Sequence, residues 1–112
     1  MDDASMQRYA DCFAAMGSES RLRILRLLLT CYPGGLIVGE IQHQLGIAGS
    51  TLSHHLEKLK HENLVVCVRE GTAWRYSANA PTLKELLNFF LAECCTRDPA
   101  RQPPSSSSSA CC

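Results

Sequence analysis

Val38 to Ser77 reads VGEIQHQLGIAGSTLSHHLEKLKHENLVVCVREGTAWRYS, and the fold is decided there. Ile41 and Leu45 stand one helical turn apart, which predicts a short helix from about Val38 to Leu45, and Gly46 supplies a stop. After Ile47-Ala48-Gly49, Ser50 or Thr51 is expected to start a second helix running to about His61. Leu52, Leu56 and Leu59 then face inward at i, i+4 and i+7, while Ser53, His54, Glu57, Lys58 and Lys60 lie largely on other faces. Two helices joined by a tight glycine-containing turn make a helix-turn-helix pattern. The period then drops from 3.6 to 2. Leu64 to Arg69 and Thr72 to Ser77 read as strands around Glu70-Gly71, a hairpin-turn signal, with Arg69, Thr72 and Arg75 on or near the hairpin.

Upstream, Met6, Tyr9, Ala10, Phe13 and Met16 recur at helical spacing between Ala4 and Met16, and Gly17 ends that run. Ser18 can cap the next helix, whose first turn carries Glu19 near its positive end. That helix shows Leu22, Ile24, Leu25, Leu27, Leu28 and Leu29 with Arg21, Arg23 and Arg26 interspersed. It is apolar around more than half its circumference and is expected at the centre of the core. Pro33-Gly34-Gly35 breaks it. Downstream, Asn79-Ala80-Pro81 leads into a last helix carrying Leu83, Leu86, Leu87, Phe90 and Leu91. The reading is a mainly α chain with a β-hairpin wing: residues 1–96 form one domain, and residues 97–112 form a flexible tail rich in proline and serine.

A chain of 112 residues fits one domain with a modest core. No apolar stretch is long enough to span a bilayer, and the first residues carry no basic start followed by an apolar run, so a cytoplasmic protein is expected. In that setting the seven cysteines read as free thiols rather than a disulfide framework. Net charge is zero, so any basic surface must come from local clustering. No nucleophile with a credible base, phosphate loop or cofactor signature is present, and an enzyme is not expected.

Three stretches carry a family resemblance: Ala14-Ala15-Met16-Gly17-Ser18-Glu19-Ser20-Arg21-Leu22-Arg23-Ile24-Leu25, then Thr51-Leu52-Ser53-His54-His55-Leu56-Glu57-Lys58-Leu59, then Leu64-Val65 with Arg69-Glu70-Gly71-Thr72-Ala73-Trp74-Arg75-Tyr76. In this order and spacing, from about residue 5 to 95, the chain resembles the ArsR-type (arsenic-repressor) winged helix-turn-helix proteins. The resemblance implies a homodimer paired through its first and last helices. It also implies operator double-stranded DNA as partner, released when a metal or metalloid binds, with no membrane role and no required cofactor. DNA contact would fall to Ser50, Thr51, Ser53 and His54 on the recognition helix, to Arg69 and Arg75 on the wing, and more weakly to Lys58 and Lys60. His55 is expected to brace the helix, and His43 and His61 to be solvent-exposed.

The familiar metal sites of the family do not carry over. Where the best-known arsenic repressors carry Cys-Val-Cys, this chain has Ile37-Val38-Gly39. The zinc- and nickel-type members use Asp, His and Glu along the last helix, where Leu83 to Cys95 offers only Glu85 and Glu93. What remains are Cys94-Cys95 at the end of the last helix and Cys111-Cys112 at the end of the tail, similar to relatives with a vicinal pair there and a third cysteine downstream.

Soft thiolates favour soft ions: trivalent arsenic or antimony takes three sulfurs in a pyramid, whereas a rigid tetrahedron of four thiolates would suit zinc, and with the resemblance this makes As(III) or Sb(III) the expected inducer. Adjacent residues in a regular helix diverge by about 100°, so Cys94 and Cys95 must sit at a frayed end to converge. Cys111 follows Cys95 by sixteen positions. A flexible chain of that length spans roughly 20–25 Å, so the third sulfur can come from Cys111 or Cys112. Cys12 is expected in the core or a dimer interface, and Cys31 and Cys67 as small buried hydrophobes. Two alternatives stay open: a thiol redox or persulfide sensor of the same fold, its oxidised pairing linking Cys94 or Cys95 to the tail, and a thiol-rich metal buffer without a DNA role.

Overall fold

The computed structural model describes residues 3–97. Within them run α1 (Asp3–Met16), α2 (Glu19–Thr30), β1 (Leu36–Ile37), α3 (Val38–Leu45), α4 (Gly49–His61), β2 (Val65–Glu70), β3 (Ala73–Ala78) and α5 (Ala80–Glu93). The order and the hairpin make a winged helix-turn-helix, as the sequence predicts.

The local signals act where they were read. Ser18 Oγ accepts from Arg21 N–H at 3.4 Å and caps α2. Gly46 closes α3 at φ 64°, a left-handed conformation that costs an L side chain about 1–2 kcal/mol and glycine nothing. Pro81 sits in the first turn of α5, where its missing N–H is no loss. The start of α4 differs from expectation. Ala48, not Ser50 or Thr51, is the N-cap residue, and the first helical bond runs from Leu52 N–H to Ala48 O at 2.9 Å. The hydroxyls of Ser50 and Thr51 are therefore first-turn groups rather than caps.

Leu52, Leu56 and Leu59 of α4 meet Ile24, Leu25 and Leu28 of α2, Ile41 of α3, Leu64, Val65, Tyr76 and Ala78 of the sheet, Leu86 of α5 and Cys12 and Ala15 of α1 in one core. Each such leucine or isoleucine contributes about 1.5–3 kcal/mol by leaving water. Cys12 is core, as expected. Cys31 and Cys67 are only half-buried, because Cys31 caps the end of α2 and Cys67 opens onto a cleft under the wing. The second helix is also less enclosed than its composition suggests. Leu22 and Leu29 stay exposed on the side away from the core.

The hairpin pairs Val65 with Ala78 through Glu70 with Ala73. A third strand, unforeseen in the sequence, joins it. Leu36 pairs with Tyr76 and Ile37 with Arg75, giving the sheet order β1-β3-β2. This strand ties the start of the helix-turn-helix, just before α3, to the wing.

Candidate nucleic-acid interface and thiol site

Burial of Leu52, Leu56 and Leu59 turns the opposite side of α4 outward. Ser50, Thr51, Ser53, His54, Glu57, Lys58, Lys60 and His61 are all exposed. The helix is a projecting ridge whose first turn carries hydroxyls and free N–H groups, which suit phosphate oxygens, and whose middle carries polar side chains long enough to reach base edges. His43 and His61 are exposed, as expected.

The wing places its two arginines differently. Arg69 and Trp74 are cross-strand partners on the side facing α4, and the Arg69 guanidinium lies over the indole at 5.6 Å while its Nε donates to Gly71 O at 3.0 Å. Arg69 is thus held at the wing tip by a cation–π contact. Arg75 lies lower. Its Nε and Nη2 donate to the Glu70 carboxylate at 2.7 and 3.1 Å, and its Nη1 donates to Gly35 O at 3.2 Å. In the free protein Arg75 braces the wing base against β1, and the Glu70 bond holds that carboxyl below its ordinary range. Between α4 and the wing lies a cleft of about 530 Å³ walled by Trp74, Leu56 and Val38, with Tyr76 and Cys67 at its floor. Burial and the Cys67 hydrogen bond push the Tyr76 hydroxyl up to about 12, so it stays neutral.

Behind the ridge, His55 does brace the helix. Its Nδ1 lies 3.3 Å from Arg21 Nη1, and Arg21 Nε donates to Ala15 O, so one guanidinium links the end of α1 to the middle of α4. Partial burial, then the positive charges of Arg21, His54 and Lys58, lower the His55 pKa. The unfolded chain therefore takes up the proton first as pH falls. The stability that the neutral imidazole contributes is complete above about pH 6.5 and is lost as pH falls through the lower folded value. Urea midpoints should fall on acidification below about pH 6.5, and His55→Gln should remove that limb of the profile. Glu70, also depressed, contributes stability that begins to be lost only as pH falls below its ordinary value of 4.5.

The thiol pair lies just past the end of α5. Glu93 is the last residue of α5. Cys94 is extended at φ −63°, ψ 124°, and Cys95 turns left-handed at φ 63°. The two residues leave the helix in opposite senses, and their Sγ atoms converge to 3.3 Å. The frayed end that vicinal chelation requires is thus built into the backbone. Cys12, Cys31 and Cys67 are free thiols, as expected, whereas Cys95 is disulfide-bonded and departs from that expectation. Among the described residues no group of three or more His, Cys, Asp or Glu is placed to hold a metal ion. Cys111 and Cys112 lie outside the described residues.

The helix-turn-helix is also what the chain shares with known proteins. A family model described as "Helix-turn-helix domain" matches residues 16–68. The chain is 32% identical over 79 residues to the transcriptional repressor SdpR of Bacillus subtilis, covering 70% of this chain and 84% of that one. It is 33% identical over 78 residues to the nodulation protein NolR of Rhizobium meliloti, covering 70% of this chain but only 62% of NolR. Among solved structures, the homodimeric winged helix-turn-helix DNA-binding domain of Mb0332 from Mycobacterium bovis, a possible ArsR-family transcriptional regulator, superposes with a TM-score of 0.67 at 28% identity, covering 82% of this chain and 85% of that one.

Proposed function

Given that this chain belongs to the ArsR-type family of winged helix-turn-helix transcriptional regulators, we propose that it is a metalloid-responsive repressor. As a homodimer it holds operator DNA, and it lets go when Cys94 and Cys95, with Cys111 or Cys112, bind trivalent arsenic or antimony. The observation that carries the ligand is the 3.3 Å separation of the Cys94 and Cys95 sulfurs. In the reduced protein, two sulfurs brought together at a helix end suit a soft ion, and trivalent arsenic or antimony needs only one more. Arsenite added to the reduced protein should protect Cys94 and Cys95 from alkylation, read by mass spectrometry of the C-terminal peptides, while zinc at the same concentration should not. Unchanged labelling of both cysteines would remove the ligand assignment.

The disulfide at Cys95 favours a second reading, in which oxidation of that cysteine rather than metalloid binding is the signal. Peroxide without arsenite would then release DNA, and reductant would restore it.

Dimer formation follows from the apolar surface of α1 and α5. Tyr9 stacks on Phe89 and Phe13 on Phe90, yet Met6, Leu87, Phe90 and Leu91 remain exposed, Leu91 at 72%. So contiguous an apolar stripe marks an interface. Sedimentation at micromolar concentration should give twice the chain's 12.3 kDa. A monomeric mass would contradict the interface.

In DNA binding, Ser53→Ala or His54→Ala should weaken a selected operator more than random duplex, because these groups reach base edges. Arg69→Ala, at the wing tip, should weaken both and lower the salt slope by about 1. Quantitative anisotropy titrations at several salt concentrations check both statements. An unchanged operator preference in His54→Ala would overturn its assignment.

A further inference from the structure

The outward ridge of α4 carries one carboxylate. At 100° per residue, Ser50, His54, Glu57 and His61 form a single stripe opposite Leu52, Leu56 and Leu59. Glu57 is exposed and sits on the crest, lining both the cleft toward the wing and the cleft toward α1 and α2. Among the described residues it forms no salt bridge, although Lys58 and Lys60 flank it in sequence. A carboxylate there would face a polyanion. Phosphates repel it and offer no hydrogen to accept.

We propose that Glu57 is a specificity-determining residue that reads cytosine in the major groove. The inference rests on the reading of α4 as the recognition helix. An ionised carboxylate can only accept, and the major-groove edges donate only at cytosine N4 and adenine N6. Adenine N6 stands beside the N7 acceptor, which repels the second carboxylate oxygen. Cytosine N4 stands beside a C–H and presents no such acceptor. Cytosine is therefore the base that satisfies Glu57, and every other base leaves a desolvated carboxylate against an acceptor or a methyl group. The same charge disfavours non-specific binding, where no amino group is in register, so Glu57 raises the specific-to-random ratio from both sides.

The test is selection of binding sites by the full chain from randomised duplexes long enough for two half-sites about 34 Å apart. The wild-type protein should select cytosine at one position of each half-site, related by the dyad. Glu57→Gln should shift that position alone toward adenine, since an amide pairs with N6 and N7 together. Glu57→Ala should lose preference there, by roughly tenfold or more in the ratio of cytosine to the other bases, and bind random duplex more tightly. Wild-type selection in which the variants keep every base unchanged would overturn the role of Glu57 while leaving α4 as the reader. Failure of the wild-type protein to select any sequence would overturn the recognition helix itself, and this assignment with it.

Discussion

Cys94→Ser with Cys95→Ser should produce a repressor that stays on its operator at arsenite concentrations that release the wild-type protein. Ligand-induced release reflects a coupling free energy, commonly 1–3 kcal/mol, so the wild-type affinity drop of roughly 5- to 150-fold should collapse to none. The cause is geometric. The Cys94 extension and the left-handed Cys95 bring two sulfurs to 3.3 Å at the end of α5. With one thiolate gone, the ion loses the chelate and glutathione competes for it. Either single variant should behave nearly as the double one. Truncation after Arg101 should weaken the response to inorganic arsenite more than to a monomethylated form, which has only two positions to fill. Fluorescence anisotropy on labelled operator under reducing conditions reads all four variants against the wild type. A double variant still released by arsenite would place the ligand elsewhere. In the proposed mechanism the same pair has a route to the DNA. Binding at the end of α5 bears on the helix whose Leu87, Phe90 and Leu91 face outward beside α1. A ligand that favours one arrangement of that face changes the separation of two recognition helices by its differential affinity alone.

The other large effect is on stability. Gly35→Ala should unfold the protein at markedly lower denaturant. Gly35 holds φ 73°, and a Cβ there would stand 2.1 Å from the Tyr76 backbone oxygen and 2.8 Å from Ser77 Cβ. The left-handed conformation costs about 1–2 kcal/mol for an L residue, and relieving the overlap costs about 1–3 more. Neither neighbour can yield cheaply, because both belong to β3, whose pairing with β1 brings the chain that close. Gly35 O also accepts from Arg75, so the wing base should loosen with it. Urea unfolding should show a loss of roughly 2–5 kcal/mol. Gly39→Ala is the control: its Cβ meets nothing within 4 Å, and its effect should be small.

These two sites show what a sequence makes legible and what it does not. The helix-turn-helix is a local, periodic signal, and Leu52, Leu56 and Leu59 announce it because burial depends on spacing along one helix. Gly71 at the hairpin and Gly46 after α3 are equally local. Strand β1 is two residues long and exists only because β3 passes beside it, so Gly35 reads simply as a helix breaker until the sheet is known. The start of α4 was obscured by three small residues in a row, where a hydroxyl cap was expected and an alanine serves. Arg75 looked like a free wing charge, but the carboxylate five positions before it, Glu70, occupies it. The network from Ala15 through Arg21 to His55 spans three helices, and only His55's inward side hinted at it. Glu57 was visible as a polar residue on α4, but its place on the crest needs the core leucines fixed first. For the thiols, the divergence of neighbouring helix residues required a broken helix end. The backbone at Cys94 and Cys95 supplies it.

Anisotropy of the wild-type protein on an operator obtained by selection, titrated with arsenite, antimonite, zinc and peroxide in parallel, tests most directly whether the thiol pair senses a soft, three-coordinate ion and reports to DNA. Arsenite and antimonite should release the DNA in the presence of reductant, with zinc ineffective and peroxide without effect once reductant is restored. Release by peroxide alone, with the arsenite titration flat under reducing conditions, would contradict the account.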